Sequence, residues 1–210
     1  MRTKFIPPPP SFERDHNHLV FVGRLVEKKG LAYLLRAVAI TKDQHPDLRL
    51  TVVGDGPMKD DLCLEAHRLG ISDRVVFLGS VPHAELPTLY QRATAAVYPF
   101  VVASNGDQEG LGLVVVEAMG CGCPVIASDL PAVRDTVVPG VTGLLAPPGD
   151  VEGLSTAIRT ALSDDALRRS LSAAALQRVR ERFDWQVVAH RYATRIDELA
   201  PLRDASSTPD

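Results

Sequence analysis

Two glutamates, Glu109 and Glu117, lie on either side of a glycine-rich turn that leads into an apolar, helix-like stretch at Leu113. Gly110 and Gly112 would let the backbone approach a ligand closely, and the free amides of a first helical turn can donate hydrogen bonds to phosphate. Because a carboxylate accepts hydrogen bonds from neighbouring hydroxyls, each glutamate is suited to holding a sugar diol. The alternative is structural, with Glu109 stabilising the helix N-terminus and Glu117 an exposed helical residue.

A second candidate group lies in residues 23–30, directly after an apolar, strand-like run. Arg24 could bind phosphate oxygens through its planar guanidinium, and Lys29 supplies a compact positive charge beside Gly30. These cations would suit a diphosphate, although a solvated basic loop explains the same residues. Two diol-binding carboxylates and a diphosphate clamp together describe a site for a nucleotide sugar.

Two further glycine-containing loops each follow a strand-like run. The first, Gly54–Pro57, has the composition of a tight turn into a helix. It does not supply the G-x-G-x-x-G pattern, which is expected after the first strand, so a dinucleotide site is disfavoured. The second, Gly79–His83, includes Val81 and could present main-chain groups to the edge of a base. His83 itself is interpreted as a surface or helix-capping residue.

The elements that must position these residues follow from hydrophobic periodicity. Apolar runs of strand length alternate with amphipathic stretches of helix length, which is typical of a parallel sheet covered on both faces. We therefore predict an α/β, doubly wound, Rossmann-like domain. The predicted strands are Leu19–Val22, Leu50–Val53, Val75–Leu78, Ala95–Tyr98 and Val125–Ala127. The predicted helices between them are Leu31–Asp43, Met58–Leu69, Glu85–Ala93 and Leu113–Met119.

The rest of the chain is predicted to form a short edge strand at Gly143–Leu145 and a C-terminal helical tail. That tail comprises helices at Val151–Leu162, Asp165–Arg180 and Trp185–Leu199, with Asp150 at the first N-cap. The domain limits are predicted as a Pro-rich linker or extension at residues 1–17, the nucleotide-sugar-binding domain at 18–200 and a disordered tail at 201–210.

Composition narrows the class of function. The formal net charge of −3, from 23 Lys and Arg against 26 Asp and Glu, gives no basic excess that would indicate a nucleic-acid partner. The 3 cysteines do not form a disulfide framework or a complete metal site, and we predict no metal and a cytoplasmic location. No apolar run reaches the ~20 residues that a membrane-spanning helix needs.

The segment from Glu109 to Glu117 is a Glu-x7-Glu pattern, and its continuation to Ala127 resembles the C-terminal domain of retaining GT-B glycosyltransferases of family 4. Other segments of the sequence also resemble this family and occur in the order in which the family has them. The combined pattern is therefore more specific than any one motif. These segments are Gly23-Arg24-Leu25, Lys29-Gly30, Val53–Pro57, Val76–Gly79 and Gly140–Leu145.

The resemblance implies a role for each matching residue. Arg24 and Lys29 would bind the donor diphosphate and support the leaving group, and Glu109 would hold the donor sugar near its reacting centre. Glu117 would bind the ribose hydroxyls, and the stretch near Val81 would meet the base. The backbone of Gly110, Leu111, Gly112 and Leu113 would meet sugar and phosphate, with Gly23 and Gly54 among the remaining binding residues. The sugar would be transferred with retention of configuration, with no catalytic metal and no cofactor beyond a UDP- or GDP-sugar donor.

One departure from the family pattern affects the expected activity. Such enzymes carry their acceptor site on a first Rossmann-like domain, and this sequence has none before residue 18. The chain is therefore expected to be one half of a GT-B fold, inactive alone, with the absent acceptor domain as its partner and as the part that could associate with a membrane surface. Phe183-Asp184-Trp185 resembles the segment that crosses back onto that domain.

Three other functions compete with this interpretation. A non-catalytic nucleotide-binding or assembly module of a split transferase fits the absent domain. An epimerase or phosphorylase fits the fold but not the series of motifs, and an NAD-dependent oxidoreductase fits the sheet alone.

Overall fold

The computed structural model describes residues 5–9 and 11–199. Its strands are β1 (His18–Val22), β2 (Arg49–Val53), β3 (Val75–Gly79), β4 (Ala95–Tyr98), β5 (Val125–Ser128) and β6 (Leu144–Ala146). Its helices are α1 (Leu31–Thr41), α2 (Lys59–Arg68), α3 (Leu86–Arg92), α4 (Leu113–Gly120), α5 (Pro131–Arg134), α6 (Val151–Ser163), α7 (Asp165–Arg182) and α8 (Trp185–Leu199). A single 3₁₀ turn at Glu27–Lys29 precedes α1.

The six strands form one parallel sheet in the order β3-β2-β1-β4-β5-β6. The predicted doubly wound, Rossmann-like fold with a C-terminal helical tail is confirmed. Each predicted strand and helix is present, with ends that differ by no more than two residues. The turn at Glu27–Lys29 and the four-residue helix α5 are additional, because neither is long enough to produce a periodic pattern.

Two hydrophobic cores lie on the two faces of the sheet. Along β1, Leu19 and Phe21 point into the core beneath α1, α2 and α6. Val20 and Val22 point into the opposite core beneath α3, α4, α5 and α7. This alternation is the two-residue period of an extended strand, and burial on both faces explains why the strand is apolar throughout.

The segment before β1 lies against the domain. Phe5 is buried, at 6% exposure. The Arg14 guanidinium donates hydrogen bonds to five main-chain carbonyls, which belong to Tyr90, Gln91, Ala93, Cys121 and Gly122. Residues 5–9 and 11–17 form no helix or strand. The predicted boundary at residue 18 stays a prediction, and the predicted tail at 201–210 lies outside the described residues.

Candidate functional site

The sheet changes its winding direction between β1 and β4. From β1 the chain proceeds outward to β2 and β3, whereas β4, β5 and β6 extend the sheet on the other side. Ligands of open parallel sheets bind beyond the carboxyl ends of the strands at such a switch point. The loop after β1 carries Arg24 and Lys29, and the loop after β4 carries Glu109. Because β1 and β4 are neighbours in the sheet, these two loops lie close together.

Lys29 and Glu109 form an ion pair at this edge. Their side chains are 15% and 13% exposed, so the pair is largely withdrawn from solvent. The Lys29 ammonium also lies 4.9 Å from the centre of the Phe100 ring, at a distance that allows a cation–π interaction. The other carboxylate oxygen of Glu109 accepts a hydrogen bond of 3.2 Å from the Gly112 amide at the start of α4.

Two more exposed contacts join the same loops. Lys28 donates to Asp107 at 3.1 Å, and Glu27 accepts hydrogen bonds of 2.9 and 2.8 Å from the amide and hydroxyl of Ser104. Three consecutive residues of the turn before α1 therefore bind the loop before α4. These exposed pairs connect the loop after β1 to the loop before α4.

Arg24 differs from the two lysines. Its side chain is exposed, and within residues 5–9 and 11–199 it has no hydrogen-bond or ion-pair partner. The guanidinium is therefore a cation at the switch point whose charge is not already neutralised by the protein. This arrangement is suited to an anionic ligand, because charge-assisted hydrogen bonds to a planar guanidinium are strong.

Glycines at the carboxyl ends of β1, β2 and β3 lie side by side. The Gly23 amide donates to Val53 at 2.9 Å, and the Gly54 amide donates to Gly79 at 2.8 Å. Gly54 has φ +126°, and a Cβ there would overlap the Gly23 carbonyl oxygen. The close approach of these loops requires glycine at residue 54, so packing alone explains why this residue is a glycine. Val81, just beyond Gly79, is partly buried against the core of α3 and α4.

The turn into α4 contains two glycines and two exposed leucines. Gly112 is the N-cap with φ +62°, and Gly110 has no heavy atom close to where a Cβ would stand. Leu111 and Leu113 are exposed, at 50% and 59%. No hydrogen bond from the Leu113 or Val114 amide is present among residues 5–9 and 11–199, so the start of α4 retains donors of the kind that bind phosphate.

Glu117 lies further along α4 and contacts a residue from a different loop. Its side chain is 12% exposed, and Oε1 lies 3.0 Å from Nε2 of His83. The sequence interpretation of His83 included no such contact. A histidine that follows a strand and precedes a helix has the same local pattern whether or not it contacts the site, so only the packing of α3 against α4 reveals it.

Opposing effects act on the pKa of Glu109. Partial burial raises it, but hydrogen bonding and charge from Lys29, together with the Gly112 amide, outweigh burial and hold the pKa below its usual value. Glu109 is therefore ionised at neutral pH, and both alternatives drawn from the sequence describe its geometry. It stabilises the start of α4 and it also stands at the mouth of the candidate site.

This shift predicts a pH dependence of stability. Because the folded-state pKa of Glu109 is lowered, its contribution to the free energy of unfolding is present above about pH 4.5 and is lost as the pH falls through the folded-state value. We expect Glu109→Gln to be less stable than the wild type at pH 7 and to lose less further stability on acidification. Urea denaturation followed by circular dichroism, at pH 7 and in steps to pH 3, measures both.

The variant Lys29→Met provides the matched comparison. It leaves the Glu109 side chain, which is 13% exposed, without its cation, so protonation should relieve the cost of burying that charge. As the pH falls from 7 to 3, protonation of Glu109 should therefore raise the free energy of unfolding of Lys29→Met, whereas it lowers that of the wild type. Parallel pH profiles for the wild type, Glu109→Gln and Lys29→Met would contradict this account of the pair.

Comparison with known proteins identifies the family. A family model described as glycosyl transferases group 1 matches residues 3–178. This chain belongs to the glycosyl transferases group 1 family. A glycogen synthase of Mycobacterium tuberculosis is 36% identical over 171 residues, which are 81% of this chain and 40% of that protein. The resemblance to the C-terminal domain of GT-B glycosyltransferases is thereby confirmed.

Two further proteins add to this relationship. A GDP-mannose-dependent alpha-(1-6)-phosphatidylinositol monomannoside mannosyltransferase of Mycolicibacterium smegmatis is 32% identical over 192 residues, covering 91% of this chain and 50% of that protein. The structure of Alr3699/HepE of Anabaena in complex with UDP superposes with a TM-score of 0.78 at 28% identity, over 87% of this chain and 49% of that one. The group 1 chain thus spans half or less of the length of these relatives.

Three further properties concern the part of the group 1 domain that the structure describes. Among residues 5–9 and 11–199, no helix is both long and apolar enough to cross a membrane. In that same part of the chain, no three His, Cys, Asp or Glu side chains are grouped so that they could hold a metal ion. Burial raises the pKa of the Cys121 and Cys123 thiols to about 12, so both cysteines are protonated at neutral pH.

Proposed function

We propose that this chain is the donor-binding half of a retaining glycosyltransferase of family 4, and that it takes a nucleoside-diphosphate sugar. The observation that supports this most directly is the meeting of two loops at the switch point. The loop after β1 brings Arg24 and Lys29, and the loop after β4 brings Glu109 and the N-terminus of α4. Positive charge, a carboxylate and free helix amides are the groups that a diphosphate joined to a sugar needs.

Each part of the donor has a proposed partner. Arg24 and Lys29 hold the diphosphate, and Glu109 holds the sugar. The remaining contacts come from the backbone of residues 110–113 to sugar and phosphate, from Glu117 to the ribose hydroxyls and from the stretch around Val81 to the base. Gly23 and Gly54 are proposed as the remaining donor-binding residues.

The proposed chemistry depends on stabilising the leaving group. As the bond between the sugar and the diphosphate breaks, positive charge develops on the sugar and negative charge on the departing phosphate. Lys29 and Arg24 would stabilise that negative charge without a metal ion, and Glu109 would stand beside the oxocarbenium-like sugar. The lowered pKa of Glu109 keeps this carboxylate ionised at neutral pH, which suits that role.

The nucleotide is proposed to be UDP or GDP. HepE was crystallised with UDP and with UDP-glucose, whereas the mannosyltransferase relative is GDP-mannose-dependent by name. This chain matches about half of the length of each of these two proteins. The diphosphate and the ribose are common to the two nucleotides, so the roles of Lys29 and Glu117 do not depend on the choice.

An acceptor domain is proposed to complete the enzyme. The relatives are about twice as long as the part this chain matches. On α8, Trp185, Tyr192 and Ile196 are 72%, 69% and 63% exposed, at a spacing that places them along one side of a helix. A second domain would bury this surface. We propose that the enzyme acts in the cytoplasm and that any membrane association arises through the acceptor domain.

Isothermal titration calorimetry with UDP and with GDP tests the proposal. We expect saturable binding of at least one nucleotide, with weaker binding of the matching monophosphate because it lacks the second phosphate. Arg24→Ala should weaken that binding. Arg49→Ala should not, because Arg49 is an exposed arginine at the amino end of β2, away from the carboxyl ends of the strands. The absence of saturable binding to any nucleoside diphosphate would overturn the proposed function.

A further inference from the structure

The contact between His83 and Glu117 joins two loops of the proposed nucleotide site. Nε2 of His83 donates to Oε1 of Glu117 at 3.0 Å, from the β3–α3 loop to α4. The other carboxylate oxygen of Glu117 has no hydrogen-bond partner within residues 5–9 and 11–199. One oxygen is therefore held by the protein while the second remains able to accept from a ligand.

His83 also contacts a residue near the start of the chain. The Phe5 and His83 rings form a T-shaped pair, with 5.1 Å between ring centres and 67° between planes. Phe5 is 6% exposed and packs against Tyr90, with ring centres 6.3 Å apart. It also lies so close to Gly120 that a Cβ there would be 3.2 Å from the Phe5 carbonyl oxygen. The imidazole plane is thus restricted although His83 is 54% exposed.

We propose that His83 is a positioning residue for the nucleotide, which orients the Glu117 carboxylate toward the ribose hydroxyls and is supported by Phe5. This inference rests on the proposed function, in which Glu117 binds the ribose. A glutamate side chain has three rotatable bonds, and ordering them during binding costs affinity. A carboxylate that is already oriented by a hydrogen bond does not incur this cost, and its angle toward a diol is set before the ligand arrives.

The test compares nucleotides with and without ribose hydroxyls. Calorimetric titration uses UDP and 2′,3′-dideoxy-UDP, or the guanine pair if the wild type prefers GDP. His83→Phe, which keeps an aromatic ring beside Phe5 but cannot donate, should weaken binding of the hydroxyl-bearing nucleotide about tenfold, and that of the dideoxy form by less than about twofold. His83→Gln, whose amide can donate to the carboxylate, should recover most of the affinity.

Two further variants complete the set. Phe5→Leu should produce a smaller loss that is again confined to the hydroxyl-bearing nucleotide, because it loosens the imidazole without removing its hydrogen bond. His67→Phe, at an exposed histidine in the last turn of α2, should leave both affinities unchanged. Thermal unfolding establishes that each variant is folded, and His83→Ala replaces His83→Phe if the latter is not.

The outcomes separate this inference from the proposed function. If the wild type binds no nucleoside diphosphate, the proposed function is wrong and the inference fails with it. If the wild type binds and His83→Phe weakens the dideoxy nucleotide equally, His83 acts on the base or the phosphates and the inference alone is overturned. An unchanged affinity in His83→Phe, or a failure of glutamine to restore binding, would overturn it as well.

Discussion

Lys29→Met is expected to weaken binding of UDP or GDP by about tenfold to a hundredfold, since a hydrogen bond to a charged group contributes about 1.5–3 kcal/mol. The Lys29 ammonium is 15% exposed and lies over the Phe100 ring, where a charge interaction is less screened than at the surface. A diphosphate at the start of α4 would share this ammonium with Glu109. Calorimetric titration of wild type and variant measures the ratio of dissociation constants.

Lys28→Met is the matched control. Lys28 is the preceding residue, carries the same charge and pairs with Asp107 at 3.1 Å, but its side chain is more exposed, at 26%. Its replacement changes the net charge by the same amount and should alter affinity by less than about twofold, because exposed ion pairs contribute little. Equal losses in the two variants would show that general electrostatic attraction, rather than a specific contact, draws the nucleotide to the loop.

Gly30→Ala is expected to cause a large loss of stability, roughly 3–5 kcal/mol in the free energy of unfolding, or about 10 °C in Tm. Gly30 joins the turn at Glu27–Lys29 to α1 with φ +68°, and a Cβ there would overlap the carbonyl oxygen of Pro99. That carbonyl belongs to main chain immediately after β4, which cannot move away as a flexible side chain would. Chemical denaturation and calorimetry measure the change.

Gly110→Ala is the control for this effect. Gly110 lies outside the left-handed region, and no heavy atom stands within 4 Å of the added Cβ. Its replacement should change the free energy of unfolding by no more than about 0.5 kcal/mol. A Tm for Gly30→Ala equal to that of Gly110→Ala would contradict the packing of the β1 and β4 loops described above.

The hydrophobic pattern was sufficient to predict the fold. In β1, four consecutive apolar residues from Leu19 to Val22 indicate a strand buried on both faces, and the helix-length stretches between such runs require crossover connections. Local chemistry also located Asp150 as an N-cap, and its side chain accepts from the Gly153 amide. These features depend on residues close together in the chain, so a sequence reveals them.

The partners of the candidate residues could not be predicted in the same way. Lys29 and Glu109 are 80 residues apart, and His83 is 34 residues from Glu117. Neither residue type nor spacing specifies which cation meets which carboxylate. Lys28 and Lys29 are equivalent in sequence, yet one pairs with exposed Asp107 and the other with enclosed Glu109. The family resemblance supplied expected roles without predicting that two of those residues form an ion pair with each other.

The sequence by itself determined the strands, the helices, the family and the loops that carry polar and glycine residues. It did so because periodicity and turn chemistry are local properties of the chain. Only the tertiary structure decided that β4 lies beside β1, which brings Glu109 to Lys29, and that Phe5 and Glu117 both contact His83. These contacts arise from the order of strands in the sheet and the packing of helices on it, and no short segment of sequence encodes either.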